Sequence, residues 1–168
     1  MGRNLPVWLL LALVTAGCAA RPPLPAGPPP TWAFPPDAFI TQRAVLTARG
    51  RQFVLNGYLS KSAHDGLRLL VTESFGQVLA DLLVKTNGDV TVFRANQPLR
   101  PDWVRRYLAS DLRSIFGRAI DPNCSLTMSA PDEFVISRRW YKLDLRVVSI
   151  QPGPQPADKF TAPPSANP

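Results

Sequence analysis

The sequence is poor in the residues that carry most enzyme chemistry. Its 168 residues include one histidine, His64, and two cysteines, Cys18 and Cys124. A catalytic histidine needs a nucleophile and an orienting carboxylate converging on it. His64 instead sits in Ala63-His64-Asp65-Gly66, which reads as a tight turn and explains both polar residues. A metal centre needs several convergent His, Cys or carboxylate ligands, and no spacing here supplies them. Asp121, Asp132 and Glu133 lie in or beside Asp-Pro and Pro-Asp steps, where aspartate serves the backbone of a turn. Gly50, Gly57, Gly66 and Gly76 are too scattered to cradle a phosphate. No enzyme, no cofactor and no metal is expected. The net charge of +7 is spread out, with Arg105-Arg106 and Arg138-Arg139 as adjacent pairs and no basic run or nucleic-acid motif. Nucleic acid is therefore not an expected partner. The charge suits solvated strand faces and attraction to anionic phospholipid.

A transmembrane-length apolar run is also missing. Leu5 to Val14 is apolar but well short of the roughly 20 residues a spanning helix needs. It follows a short basic start, Gly2-Arg3-Asn4, and precedes Thr15-Ala16-Gly17-Cys18. That order is a secretory signal over residues 1–17. The cysteine after Ala-Gly resembles the lipobox of bacterial lipoproteins. The resemblance implies that Cys18 is acylated, and Ala19 after it implies the outer membrane, on its periplasmic face. Several acyl chains anchor stably, at about 0.8 kcal/mol per buried methylene. Losing Arg3 with the signal lowers the net charge by one, to +6. With Cys18 acylated, Cys124 has no partner, and a buried inert thiol is expected.

Proline then marks what does not fold. Residues 21–36 carry eight prolines and no apolar period, which predicts an extended spacer after Cys18, over residues 18–36. Its Trp32 and Phe34 are expected to dock either on the domain or on the bilayer. Residues 151–168 carry six more prolines and read as a disordered tail. Residues 37–150 remain as one domain.

Within it the apolar period is two. Ile40, Ala44, Leu46 and Ala48 form one face of a first strand. Phe53, Leu55 and Leu59 follow Arg49-Gly50; Leu67, Leu69 and Val71 follow the His64 turn. Val78, Ala80, Leu82 and Val84 follow Ser74-Phe75-Gly76. Asn87-Gly88 predicts a type I′ hairpin into Val90 and Val92. This is a five-stranded antiparallel meander. Leu70, Leu79 and Leu83 make some strands apolar on both faces, so a covered second face is expected.

The period then becomes helical. Trp103, Val104, Tyr107, Leu108, Leu112, Ile115 and Phe116 share a face over about 102–117, with Asp102 as N-cap and Gly117 as C-cap. Three further strands are expected at Ser125–Ser129, Phe134–Arg138 and Trp140–Ile150. The fold class is mostly β with α (α+β): a curved antiparallel half-barrel with one amphipathic helix on its concave face. If the helix underfills the concavity, a cavity lined by Leu69, Leu82, Trp103, Tyr107 and Phe116 becomes a site for an acyl chain. If those aromatics fill it, a structural envelope lipoprotein binding a protein complex or peptidoglycan is the better reading.

Over roughly residues 40–117 the sequence resembles the LolB-like lipoproteins of Gram-negative bacteria. The lipobox Cys18, the hairpin TQRAVLTARGRQFVLNGYL and above all LRLLVTESFGQVLADLLV carry the resemblance. The family has an apolar strand ending in Leu-Leu-x-Thr, a short turn holding a bulky apolar residue before glycine, and another strand. The resemblance implies a lipid-anchored receptor that binds lipid or acylated cargo, with a soluble periplasmic carrier as a candidate donor. It also implies that Phe75 takes the place of the family's exposed loop leucine, with Gly76 matching its glycine. Phe75 is then a membrane-dipping or cargo-gating tip; otherwise it folds back on the core.

Overall fold

Side chains that alternate in and out along extended chain can bury only one face per strand, and eight such strands pair here into one sheet. The computed structural model describes residues 34–117 and 119–153. The expected signal segment, Cys18, Trp32 and the tail beyond residue 153 lie outside the described residues. The strands are β1 (Ala38–Ala48), β2 (Arg51–Ser62), β3 (Gly66–Glu73), β4 (Val78–Val84), β5 (Val90–Ala95), β6 (Ser125–Ala130), β7 (Glu133–Ser137) and β8 (Tyr141–Pro152). Their order is β5-β4-β3-β2-β1-β8-β7-β6, with every pairing antiparallel. Gln151 and Pro152, expected in the tail, belong to β8 and pair with Phe39 and Ala38.

The sheet is open and curled. Register shifts at Thr41/Gln42, Val71/Thr72, Asp81/Leu82 and Met128/Ala130 insert extra residues, and such bulges bend and twist a sheet. One row of the concave face runs Leu82–Leu69–Leu59–Ile40 across four strands, each residue at most 2% exposed. Burying such a side chain stabilises by about 1.5–3 kcal/mol.

One helical segment, α1 (101–116), joins the two edge strands β5 and β6. It is an α turn at Pro101–Trp103, a π-helical turn at Val104–Leu108 and an α-helix at Ala109–Phe116. Val104, Ala109, Leu112, Ile115 and Phe116 enter the same core as Leu69 and Leu82. Asp102 is not the N-cap. Arg100 holds that position without a side-chain cap bond, because Pro101 supplies the helix start with a fixed φ and no N–H to satisfy. Gly117 does end the helix, with φ −103° and its N–H on the Arg113 carbonyl.

Two further sequence expectations need correction. Asn87-Gly88 does not form a two-residue type I′ turn. Gly88 has φ +92° and its N–H meets the Lys85 carbonyl, while Lys85 N–H meets Asp89, so the loop has three residues with a glycine bulge. The type I′ geometry falls instead at Arg49-Gly50, with φ of 50° and 74°. The second correction concerns the convex face. No second layer of strands or helices covers it among the described residues. Its apolar residues shelter each other: Phe39 stacks on Tyr58 at 6.5 Å, and the Arg68 guanidinium lies 5.0 Å over Phe93 while pairing with Asp81. Val54 and Phe93 remain about half exposed.

Candidate functional site

Phe75 stands at the tip of the β3–β4 hairpin and is 96% exposed. It does not fold back on the core. Gly76 N–H donates to the Glu73 carbonyl at 2.9 Å, and Glu73 N–H to Gln77 at 3.0 Å, closing a three-residue loop. Gly76 takes φ +85°, which the following bulge requires. The loop backbone is thus held at its base while the aromatic ring meets water.

An open hollow of about 740 Å³ lies at the other end of β3. Leu67, Phe34 and Phe116 give it apolar walls, and Lys61, Lys85 and Arg113 contribute cations. Phe34 belongs to this domain's packing: its ring lies 4.8 Å from Phe116 and 6.2 Å from Phe134, and Lys61 Nζ donates to its carbonyl at 3.0 Å. Docking on the domain is therefore the outcome for Phe34. Of the five residues expected to line a cavity, Phe116 alone lines this hollow. Leu69 and Leu82 are buried in the core, at 2% and 0% exposure. Trp103 and Tyr107 are half-buried and pack on Tyr141, with ring centroids at 5.2 and 6.3 Å. The helix fills the middle of the concavity with its aliphatic residues, so the open space is displaced to one end.

A buried ionic network was not visible in the sequence. Arg138, 2% exposed in its side chain, reaches Asp111 Oδ1 through Nε at 2.9 Å and Nη2 at 2.7 Å. The same Nη2 reaches Asp121 Oδ2 at 2.8 Å and Ser110 Oγ at 3.2 Å. Ser110 Oγ donates to Asp121 at 2.6 Å, and the Tyr141 hydroxyl donates to Asp111 Oδ2. Ser114 Oγ donates to the carbonyls of Ser110 and Ala119. The network ties α1 to the 119–124 loop and to the β7–β8 hairpin. Arg138 is therefore not a solvated surface charge, while Asp121 does serve its turn, accepting the Asn123 N–H at 2.8 Å, and takes Arg138 on its other oxygen. The signal available was Asp111 falling four residues after Tyr107 and before Ile115, on an apolar helix face.

The two carboxylates on one guanidinium are pushed in opposite directions. Burial raises Asp111, against the hydrogen bonds from Tyr141 and Arg138. The Ser110 hydroxyl, then the Asn123 N–H and Arg138, hold Asp121 well below the usual carboxylate range, against the cost of burial. Burial, and next the Asp111 charge, push Tyr141 far above an ordinary phenol. Cys124 is half-buried rather than buried; its thiol is raised by burial and donates to the Asp121 carbonyl at 3.3 Å. His64 keeps to its turn, where the Ser62 hydroxyl accepts its backbone N–H at 3.2 Å.

Tyr141 makes a pH dependence. A phenol with a raised folded pKa contributes stability below its unfolded pKa of about 10, and that contribution is lost as pH rises beyond it. Unfolding free energy is expected to fall by about 1.4 kcal/mol per pH unit above about pH 10 from this group alone. Urea midpoints from pH 8 to 12 measure the slope, and Tyr141→Phe should remove this contribution. An unchanged slope in that variant would assign the alkaline loss elsewhere.

Compared with known families and with curated proteins, the chain matches no family model and no curated protein.

Proposed function

We propose that this chain is an outer-membrane lipoprotein, anchored through Cys18, whose LolB-like half-barrel binds lipid or acylated cargo and helps deliver it to the membrane. The observation that carries the reading is Phe75: a large apolar ring 96% exposed on a hydrogen-bonded hairpin tip. Water penalises that placement, and a bilayer interface rewards it by about 1.5–3 kcal/mol for a buried Phe side chain. Eight residues of β3 separate this tip from the hollow, roughly 25 Å at strand rise. That distance favours insertion into the bilayer over gating of the hollow as the role of Phe75.

The test anchors the full chain in acceptor vesicles and follows transfer of a fluorescent acyl lipid from donor vesicles. Phe75→Glu is expected to slow transfer at least tenfold while leaving stability within about 0.5 kcal/mol, because the side chain touches little of the fold. Transfer at the unaltered rate by that variant would sink the role given to the loop.

One observation favours a second reading. Leu69 and Leu82 are packed by α1, so the centre of the sheet offers no room for a chain. A structural envelope lipoprotein that binds a protein complex or peptidoglycan fits that filled centre. Native mass spectrometry of the full chain decides between them: a bound lipid of fixed stoichiometry supports the carrier, and a ligand-free mass supports the structural protein.

A further inference from the structure

The hollow beside α1 has a chemistry that the exposed loop does not explain. Its walls are apolar at Phe34, Leu67 and Phe116, and its charged lining residues are all cations: Lys61, Lys85 and Arg113. These come from three elements, the end of β2, the β4–β5 turn and the last turn of α1. Three carboxylates flank the space without lining it, each bonded to a residue of the wall. Asp37 accepts the Ala63 N–H, Asp65 accepts the Ser62 hydroxyl, and Asp89 accepts the Asn87 amide. Among the described residues, neither Lys85 nor Arg113 has a carboxylate within ion-pair distance. The helix presents its C-terminal, negative end here, which would repel an anion. Arg113 in that last turn offsets it, and two lysines exceed it.

Resting on the lipid-binding reading above, we infer that this hollow binds an acyl chain with an anionic head, the chain against Phe34, Leu67 and Phe116 and the carboxylate or phosphate among Lys61, Lys85 and Arg113. A volume of about 740 Å³ falls within the size of small-molecule sites. Apolar walls with a few convergent polar groups are the usual make-up of such a site. Lys61 Nζ already donates to the Phe34 carbonyl, but a neutral or cationic amphiphile would leave Lys85 and Arg113 with no carboxylate at ion-pair distance. An anionic head supplies that partner, so the selectivity is for charge first and chain second. Because the mouth is open to water, salt screens the attraction.

The test uses the full chain in neutral phosphatidylcholine nanodiscs with a photoreactive palmitate and, in parallel, the matching photoreactive hexadecanol. Tandem mass spectrometry maps the labelled residues. The expected result is palmitate labelling at Phe34, Leu67 or Phe116, at least tenfold above hexadecanol, falling as salt rises. Lys85→Glu with Arg113→Glu should lower the palmitate labelling at least tenfold. Lys85 is exposed, but Arg113 is half-buried in the last helical turn, where a glutamate is unfavourable, so circular dichroism checks folding. Lys85→Glu alone, which should leave thermal unfolding unchanged, must also lower the labelling. Competition by lysophosphatidylglycerol but not by lysophosphatidylcholine would name phosphate as the head; competition by unlabelled palmitate alone would name carboxylate. Equal labelling of the hollow by acid and alcohol would overturn the anion selectivity and leave lipid binding standing. Labelling confined to other regions would overturn the site. No labelling by either probe anywhere would overturn this inference and the lipid-binding function together.

Discussion

Arg138→Met is expected to lower the unfolding free energy by about 3–5 kcal/mol. The arginine is not valuable as a surface charge, since its side chain is 2% exposed. Its removal leaves Asp111, itself 1% exposed, with only the Tyr141 hydroxyl as partner and no compensating positive charge. Carrying an unpaired carboxylate in that place costs several kcal/mol, or forces it to take up a proton. Asp121 suffers less, because it is 18% exposed and keeps its bonds to Ser110 and Asn123. Urea unfolding monitored by circular dichroism measures the loss. The triple variant Arg138→Met, Asp111→Leu, Tyr141→Phe should regain most of it, because an apolar replacement of a buried ion pair is often neutral or better. A single-variant loss below about 1 kcal/mol would mean that water reaches Asp111 and that the network holds α1 weakly.

The second large effect is steric. Gly66→Ala is expected to destabilise by about 2–5 kcal/mol, from an unfavourable backbone and an overpacked contact together. Gly66 adopts φ +100°, and a Cβ there would lie 2.1 Å from the Val84 carbonyl oxygen, a backbone atom that cannot swing away. Gly76 provides the control. It has a similar φ of +85°, but nothing lies within 4 Å of its Cβ direction. Gly76→Ala should therefore cost only the backbone part, about 1–2 kcal/mol. Thermal melts of the two variants side by side separate crowding from backbone strain. Equal losses would show that the Val84 contact relaxes and contributes nothing.

The five-stranded meander and the helix position were readable because each strand buries one face and leaves the other half in water, whereas the pairing of β8 with β1 was not. Leu67, Leu69 and Val71 alternate as they do because a one-residue slip would invert them. The helix was readable for the same reason, with its period changed at Trp103. What could not be read were features set by contacts far apart in sequence. Asp111 and Arg138 are 27 residues apart and meet only because α1 crosses back over the sheet. The three cations of the hollow come from elements that look unrelated until the hairpins stack. Asn87-Gly88 failed differently: the dipeptide is suited to two kinds of loop, and the pairing of Lys85 with Asp89 selected the longer one. The exposure of Phe75 lay between these cases. Its turn was legible, but which way the ring points depends on what the core leaves unfilled.

The seam between β1 and β8 has a consequence for the order in which the protein folds. These are the first and last strands of the sheet in sequence, yet they pair along their whole length near its centre, from Ala38 with Pro152 to Ala48 with Tyr141. The five-stranded meander can assemble from local hairpins, which close quickly, whereas the central seam waits for the end of the chain. Until then one side of β1 is an unpaired edge, able to accept a strand from another molecule. A nascent or truncated chain ending before Tyr141 would be the aggregation-prone form of this protein, and its completed C-terminal strand is what closes that vulnerability.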